Sequence, residues 1–254
     1  MEKDVIRITG SGRSTFKDAV TEEIFLTLYI NEKELLTLLC SPENLKELSA
    51  GFLFSAGLIN SAGDIENISV NTSKMTSHIT TKKKEMEEDV IFKRVYTSGC
   101  GKNMLFYNTL DIAGSKIVKN KTAIRSSQIV DLMKTFEKRS VSYKETGGVH
   151  SAALCSDSDI IAFHEDIGRH NAIDKIVGEA LFRKLNMEEM FVVTSGRISS
   201  EVMYKIQKMG SAVVISRSAP TSLAVKLAEK WNIALVGFVR GRRMNVYTSE
   251  ERIL

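Results

Sequence analysis

The chain of 254 residues is long enough for one large domain or two small ones with a buried core. Apolar residues at 43%, charged residues at 26% and only 2 prolines and 16 glycines exclude collagenous and low-complexity character. Lys and Arg total 35 against 31 for Asp and Glu, a net charge of +4 that neither demands a nucleic-acid partner nor excludes an anionic small molecule.

The N-terminus, Met1-Glu-Lys-Asp-Val-Ile-Arg7, carries charges where a signal peptide needs its apolar region, and no apolar run approaches the ~18 residues of a membrane span. Three cysteines, Cys40, Cys100 and Cys155, are too few for a disulfide framework and form no CxxC pair for structural zinc. A reduced, cytoplasmic setting is expected, without membrane or nucleic-acid partners.

Gly10-Ser-Gly-Arg-Ser14 follows no recognisable strand and is expected to be a flexible tail. Ile24–Ile30 and Leu35–Leu39, separated by Asn31-Glu-Lys33, predict a hairpin. Ser41-Pro42 supplies an N-cap and a first-turn proline for a helix carrying Leu45, Leu48 and Phe52, and Gly57 marks its stop. Residues 61–95 alternate polar and β-branched types, and the charged block Lys82–Asp89 within them is expected to be a solvated hairpin tip.

The second half is more regular. Ile129, Leu132, Met133 and Phe136 recur at helical spacing, and a hairpin is predicted over 151–163. A helix through Ile173, Ile176, Val177, Ala180 and Leu181 leads to strand 190–194, helix 199–209, strand 212–216, helix 221–231 and strand 233–238. Strand and helix taking turns predicts an α/β fold with a mostly parallel sheet and right-handed crossovers. The loops after the three strands would then share the carboxyl edge, where open α/β sheets bind ligands. They hold Ser195-Gly-Arg197, Ser216-Arg217-Ser218 and Arg240-Gly241-Arg242-Arg243, hydroxyls and guanidiniums suited to phosphate.

Cys100 lies in Tyr96-Thr-Ser-Gly-Cys-Gly-Lys-Asn103, where a nearby lysine and flanking glycines favour a reachable thiolate. It is the candidate nucleophile, with an incidental loop cysteine as the alternative. Cys40 and Cys155 each end an apolar run and fit packing roles. His150 and His170 stand at element junctions, where an imidazole orients a ligand, moves a proton or simply satisfies backbone groups. His78 and His164 have no comparable context. The zinc-deaminase pattern, the phosphate-binding P-loop, the dinucleotide fingerprint and the hydrolase nucleophile elbow are all absent from the sequence.

Several segments together resemble the FdhD family, the formate dehydrogenase accessory proteins. They are Gly51-Phe-Leu-Phe-Ser-Ala-Gly57, Thr97-Ser-Gly-Cys-Gly-Lys102, Thr146-Gly-Gly-Val-His-Ser-Ala-Ala153, Glu165-Asp-Ile-Gly-Arg-His-Asn-Ala-Ile-Asp-Lys175, Ser195-Gly-Arg-Ile-Ser-Ser-Glu201, Ser216-Arg-Ser-Ala-Pro-Thr221 and Gly237-Phe-Val-Arg-Gly-Arg-Arg-Met-Asn245. The ordered set spans most of the chain.

The resemblance implies a sulfurtransferase acting as a persulfide carrier. It would take sulfur from a cysteine desulfurase and deliver it to the molybdenum of the bis(molybdopterin guanine dinucleotide) cofactor before insertion into formate dehydrogenase. It further implies a cytidine-deaminase-like α/β domain over 126–254, a smaller α+β region over 1–125 that includes the cysteine loop, and a homodimer. By position, Cys100 is the persulfide-forming residue, and Phe238, Val239, Arg240, Gly241, Arg242 and Arg243 contact the cofactor. From their places at element junctions and on the carboxyl edge, His150, Arg169, His170, Ser195, Arg197, Ser216 and Arg217 are expected to line the site, with His150, Arg169 and His170 positioning the Cys100 loop, and no metal ligand set is expected. Many family members carry C-x-x-C in the loop, whereas Thr97 stands three residues before Cys100. A handover between two loop thiols is thereby excluded unless Cys40 or Cys155 reaches the site. A cofactor-binding chaperone, in which Cys100 only grips the cofactor, is the competing reading; a nucleotide-metabolising hydrolase lacks a recognisable catalytic set.

Overall fold

The computed structural model describes residues 1–83, 117–157 and 159–254, together with the strand backbones Lys93–Tyr96 and Met104–Tyr107. The chain begins with β1 (Glu2–Thr9) and β2 (Gly12–Ala19), paired antiparallel from Glu2↔Ala19 to Thr9↔Gly12. The expected tail is therefore a hairpin. Its turn is closed by Gly12 at φ 134°, a conformation a side chain resists, and Arg7 lies 3.9 Å over the Phe16 ring across the strands.

The next hairpin, β3 (Ile24–Ile30) and β4 (Lys33–Cys40), follows expectation. Asn31 and Glu32 both take positive φ, 47° and 66°, as a two-residue turn matched to strand twist requires. With β5 (Ile65–Asn71) and β6 (Thr76–Thr81) these strands form a sheet in the order β4-β3-β6-β5, in which β3 and β6 run parallel. Its Leu26, Leu28 and Ile79 face the core with Leu48 and Leu53 of α1 (Leu45–Ser55). The strand backbones 93–96 and 104–107, here β7 and β8, pair antiparallel. Of the charged block 82–89, Lys82 and Lys83 are exposed, and the remainder lies outside the described residues.

Helix α1 starts later than the Ser41-Pro42 signal predicts. The Ser41 amide donates to Asp166 Oδ2 at 3.1 Å, and its Oγ accepts the Ile167 amide at 3.1 Å. Both groups that would cap the helix are engaged by the far half of the chain, so the helix starts after Asn44 instead.

The second half runs α2 (Ser126–Arg139), a short α3 (Val141–Thr146), β9 (His150–Ser156), β10 (Asp159–Asp166), α4 (Arg169–Phe182), β11 (Phe191–Thr194), α5 (Ser200–Met209), β12 (Val213–Ser216), α6 (Ser222–Trp231), β13 (Ala234–Arg240) and β14 (Arg243–Thr248). Its sheet has the order β10-β9-β11-β12-β13-β14. The expectation of a mostly parallel sheet is corrected here: only β11/β12 and β12/β13 are parallel, while β10/β9, β9/β11 and β13/β14 are antiparallel. The reason is the connections. The crossovers through α5 and α6 give the two parallel pairs, and the tight turns between β9 and β10 and between β13 and β14 permit only antiparallel pairing. The crossover through α4 carries the chain from β10 past β9 to β11, so β9 is antiparallel to both its neighbours. The segment Arg240-Gly241-Arg242-Arg243, expected as a loop, is such a turn, with Arg240 paired to Arg243 and Gly241 at φ 59°. A single buried core runs from Leu26 and Leu48 through Ile173 and Val193 to Trp231. No helix among the described residues is long and apolar enough to cross a membrane.

Candidate functional site

The parallel trio β11–β12–β13 sets the carboxyl edge, and hydrogen bonds stitch its first two loops together. Ser195 N donates to Ser151 O at 3.0 Å, and Ser151 N donates to Ser195 Oγ at 2.9 Å. Ser216 Oγ donates to Gly196 O at 2.7 Å and accepts from Ser218 N at 2.9 Å, while Arg217 N bonds Thr194 O at 3.2 Å. The hydroxyls of Ser195 and Ser216 thus shape the loops, and Arg217 Nε pairs with Glu137 Oε1 at 3.4 Å.

His150, at the start of β9, and Arg169, at the start of α4, are brought together around Gly196. A Cβ on Gly196 would lie 2.9 Å from Arg169 Cβ and 3.5 Å from His150 Nδ1, so glycine is what lets the two approach the loop. Burial holds the His150 imidazole below its ordinary value; Arg169, His170 and Arg197 lower it further, against an opposing pull from Asp166. Four of the sequence-predicted site residues therefore share one electrostatic neighbourhood.

His170 follows Arg169, and its Nε2 lies 2.8 Å from Glu201 Oε2 in the first turn of α5. Burial lowers its imidazole pKa, the Glu201 carboxylate beside it raises it, and Lys205 and Arg169 lower it. One turn further along both helices, Lys205 Nζ pairs with Asp174 and reaches the His170 carbonyl, and Ser55 Oγ of α1 donates to Asp174 Oδ1 at 2.6 Å. The two rungs His170–Glu201 and Asp174–Lys205 use i, i+4 positions on both helices, the spacing that keeps side chains on one face.

The entry to α4 is fixed from below. Asp166 Oδ1 accepts Gly168 N at 2.8 Å and Asn171 Nδ2 at 2.9 Å, and its Oδ2 meets Lys175 Nζ at 2.7 Å. Glu165 accepts the amides of Ser142 and Tyr143 at 2.9 and 3.0 Å, seating α3 beside the edge. Sequence reasoning did not single out Asp166, Asp174, Lys175, Glu201 or Lys205. Their signal was present: Asp174 and Lys175 interrupt the apolar run Ala172-Ile173 and Ile176-Val177, and ionic groups inside a buried stripe must be paired.

The arginine turn stands apart from this group. His150, Ser195 and Arg217 line a 230 Å³ cavity walled by Phe136 and Tyr143, whereas Arg242 lines a different cavity of 390 Å³ with Ser126, Ser127 and Lys134 at the start of α2. Arg240, Arg242 and Arg243 are exposed. Phe238 joins the turn to the edge: its amide donates to Ser218 O at 3.1 Å, and it occupies positive φ, 53°, inside a register shift of β13 and β14. Val239 beside it is buried.

Cys100 lies outside the described residues. Cys40 and Cys155 are wholly buried, and burial pushes both thiols up to about 12, so neither offers a thiolate near neutral pH.

A protein-family model described as FdhD/NarQ family matches residues 21–254. The chain is 41% identical over 254 residues to the sulfur carrier protein FdhD of Bacillus pumilus, covering 99% of this chain and 97% of that one. It is 39% identical to the sulfur carrier protein FdhD of Bacillus subtilis, covering 99% and 96%. Among solved structures, a protein from Desulfotalea psychrophila assigned as a formate dehydrogenase accessory protein superposes with a TM-score of 0.80 at 26% identity, covering 100% of this chain and 99% of that one.

Proposed function

We propose, from the premise that this chain belongs to the FdhD/NarQ family, that it is a sulfur carrier serving formate dehydrogenase and that Cys100 is the atom-bearing residue of the transfer. The thiolate of Cys100 attacks the terminal sulfur of a cysteine desulfurase persulfide. The sulfur–sulfur bond of the donor breaks, the desulfurase cysteine leaves as its thiolate, and Cys100 retains the persulfide. In delivery the sulfur–sulfur bond on Cys100 breaks and Cys100 leaves as its thiolate. The terminal sulfur takes two electrons from the reduced molybdenum of the bis(molybdopterin guanine dinucleotide) substrate to become its sulfido ligand before that cofactor is inserted.

The observation that carries the assignment to Cys100 is the fate of the other two cysteines. Cys40 and Cys155 are both 0% exposed, so neither can receive sulfur from the donor or resolve a persulfide on the loop. The mechanism therefore needs one thiol, in keeping with Thr97 standing where many relatives have a second cysteine. The cations at the carboxyl edge, Arg169 and Arg197 with His150, and the exposed arginines of the β13–β14 turn suit the pyrophosphates of the guanine dinucleotide. Within this reading 126–254 is the deaminase-like domain, 1–125 the smaller α+β region, and the working unit a cytoplasmic homodimer.

Intact-mass measurement after incubation with a cysteine desulfurase and cysteine tests the carrier role. The expected result is a reductant-sensitive gain of one sulfur that is absent in Cys100→Ala. Alkylation of the native protein should likewise label Cys100 alone. A sulfur adduct that persists in Cys100→Ala, or labelling of Cys40 or Cys155 in the folded chain, would overturn the assignment.

A further inference from the structure

Glu201 has no role in sulfur transfer as derived so far, yet its carboxylate meets His170, which follows Arg169 in the chain. It sits in the first turn of α5 with its side chain 8% exposed, and its Oε2 lies 2.8 Å from His170 Nε2, a ring that is itself 20% exposed. Ser199, the N-cap of the same helix, is 4% exposed, and its Oγ makes no hydrogen bond. The groups facing His170 are Glu201 and Lys205 from α5 and Arg169 from its own helix. Those facing His150 are Arg169 and His170 from α4, Asp166 from β10 and Arg197 from the loop after β11. Of the two imidazoles, only His170 touches a carboxylate.

We infer that Glu201 is the positioning residue of this edge, holding His170 so that the pair takes up a proton when the phosphate oxygens of the substrate settle among Arg169, Arg197 and His150. The inference rests on the reading of this edge as the cofactor's phosphate site. The physical argument is one of charge balance. In the free protein the cations around His170 and its burial oppose a further positive charge, while Glu201 alone favours it. An incoming phosphate cancels the repulsion of the arginines, and the carboxylate at 2.8 Å then suffices to keep the proton on the ring. The proton comes from solvent and remains on the imidazole; no covalent bond changes.

Titration calorimetry of the full chain with GDP as the probe, repeated at one pH in buffers of different ionisation enthalpy, counts the protons taken up. The wild type should show net uptake, Glu201→Gln and His170→Gln should bind GDP with the uptake reduced by one proton, and His164→Gln, away from the carboxyl edge, should retain it. The wild-type affinity should also tighten as the pH falls from 8.5 towards 6.5, and this tightening should weaken in Glu201→Gln and be restored in Glu201→Asp, a pattern that a purely structural role for Glu201 would not produce. GDP binding without proton uptake, a pH-independent affinity, or uptake that survives undiminished in both Glu201→Gln and His170→Gln would overturn this inference alone. Absence of GDP binding in the wild type would overturn the phosphate-site reading and this inference with it.

Discussion

Asp166 and Lys175 meet at 2.7 Å with neither side chain exposed to any measurable extent. The same carboxylate receives the amides of Ser41 and Gly168 and the Asn171 side chain, so one buried charge ties the end of β4 to the start of α4. Removing the lysine leaves that carboxylate uncompensated in the core. Lys175→Met should therefore destabilise the fold by about 3–5 kcal/mol, read from urea unfolding, and adding Asp166→Asn should recover part of the loss. A Lys175→Met protein as stable as the wild type would show that the amide donors alone suffice.

Helices α1 and α4 cross so closely that a methyl group has no room at either glycine. A Cβ on Gly51 would fall 1.8 Å from the Asp174 carbonyl oxygen, and one on Gly178 would fall 1.9 Å from the Glu47 carbonyl oxygen. Both obstacles are backbone, which cannot swing aside as a side chain would. Gly51→Ala and Gly178→Ala should each cost about 3 kcal/mol or more, despite the better helix propensity of alanine. Because Asp174 also receives Ser55 and Lys205, spreading this crossing should loosen the first turn of α4, which bears Arg169 and His170. Thermal melts give the first effect, and weaker GDP binding by the surviving protein gives the second.

What could be read from the sequence follows the strength of local periodicity. The face Ile129, Leu132, Met133, Phe136 is the buried face of α2, and Asn31-Glu32 is the turn between β3 and β4, because both signals are local and tertiary contacts reinforce them. The start of α1 departs from the Ser41-Pro42 signal because Ser41 is bonded to residues about 125 positions away, which no local pattern encodes. Strand β14 escaped notice because register shifts interrupt its pairing with β13 and break the alternation of inward and outward residues. At the candidate site the arginines and histidines were visible as residue types in loops, and their grouping around Gly196 needed the fold. The charged rungs from α4 to α5 were hidden for the same reason: the partners are sequence-distant and declare themselves only as ionic residues within apolar helices.

Three imidazoles make the stability of the fold sensitive to mild acid. Burial is the largest cause in lowering each of His150, His164 and His170 below the ordinary value of 6.5, even though His164 is 2.9 Å from Glu179. The unfolded chain then binds protons at a higher pH than the folded one, so stability rises with pH across this interval. It should be fully present above about 6.5 and decline as the pH falls through the lower values of the folded state. Melting temperatures between pH 8 and 5 should show this fall, and His164→Gln, which leaves the carboxyl edge intact, should flatten part of it. A melting temperature that is constant over the range would contradict the assigned direction.

Phe238 combines an unfavourable backbone with a position between the carboxyl edge and the arginine turn. At φ 53° it occupies the left-handed region, which costs a side-chain-bearing residue about 1 kcal/mol or more relative to glycine. Its ring is half-buried and its amide leaves the ladder for Ser218, and on the proposed reading the ring contacts the cofactor's guanine base. Phe238→Gly should relieve the strain and keep the melting temperature near that of the wild type, while GDP affinity falls by roughly tenfold to a hundredfold, the worth of one base–aromatic stack. Phe238→Ala should lose the same affinity and melt lower than Phe238→Gly, because it retains the strained conformation without the ring. If Phe238→Gly binds GDP as tightly as the wild type, the ring serves packing alone and the nucleotide contacts lie with Arg240 and Arg243.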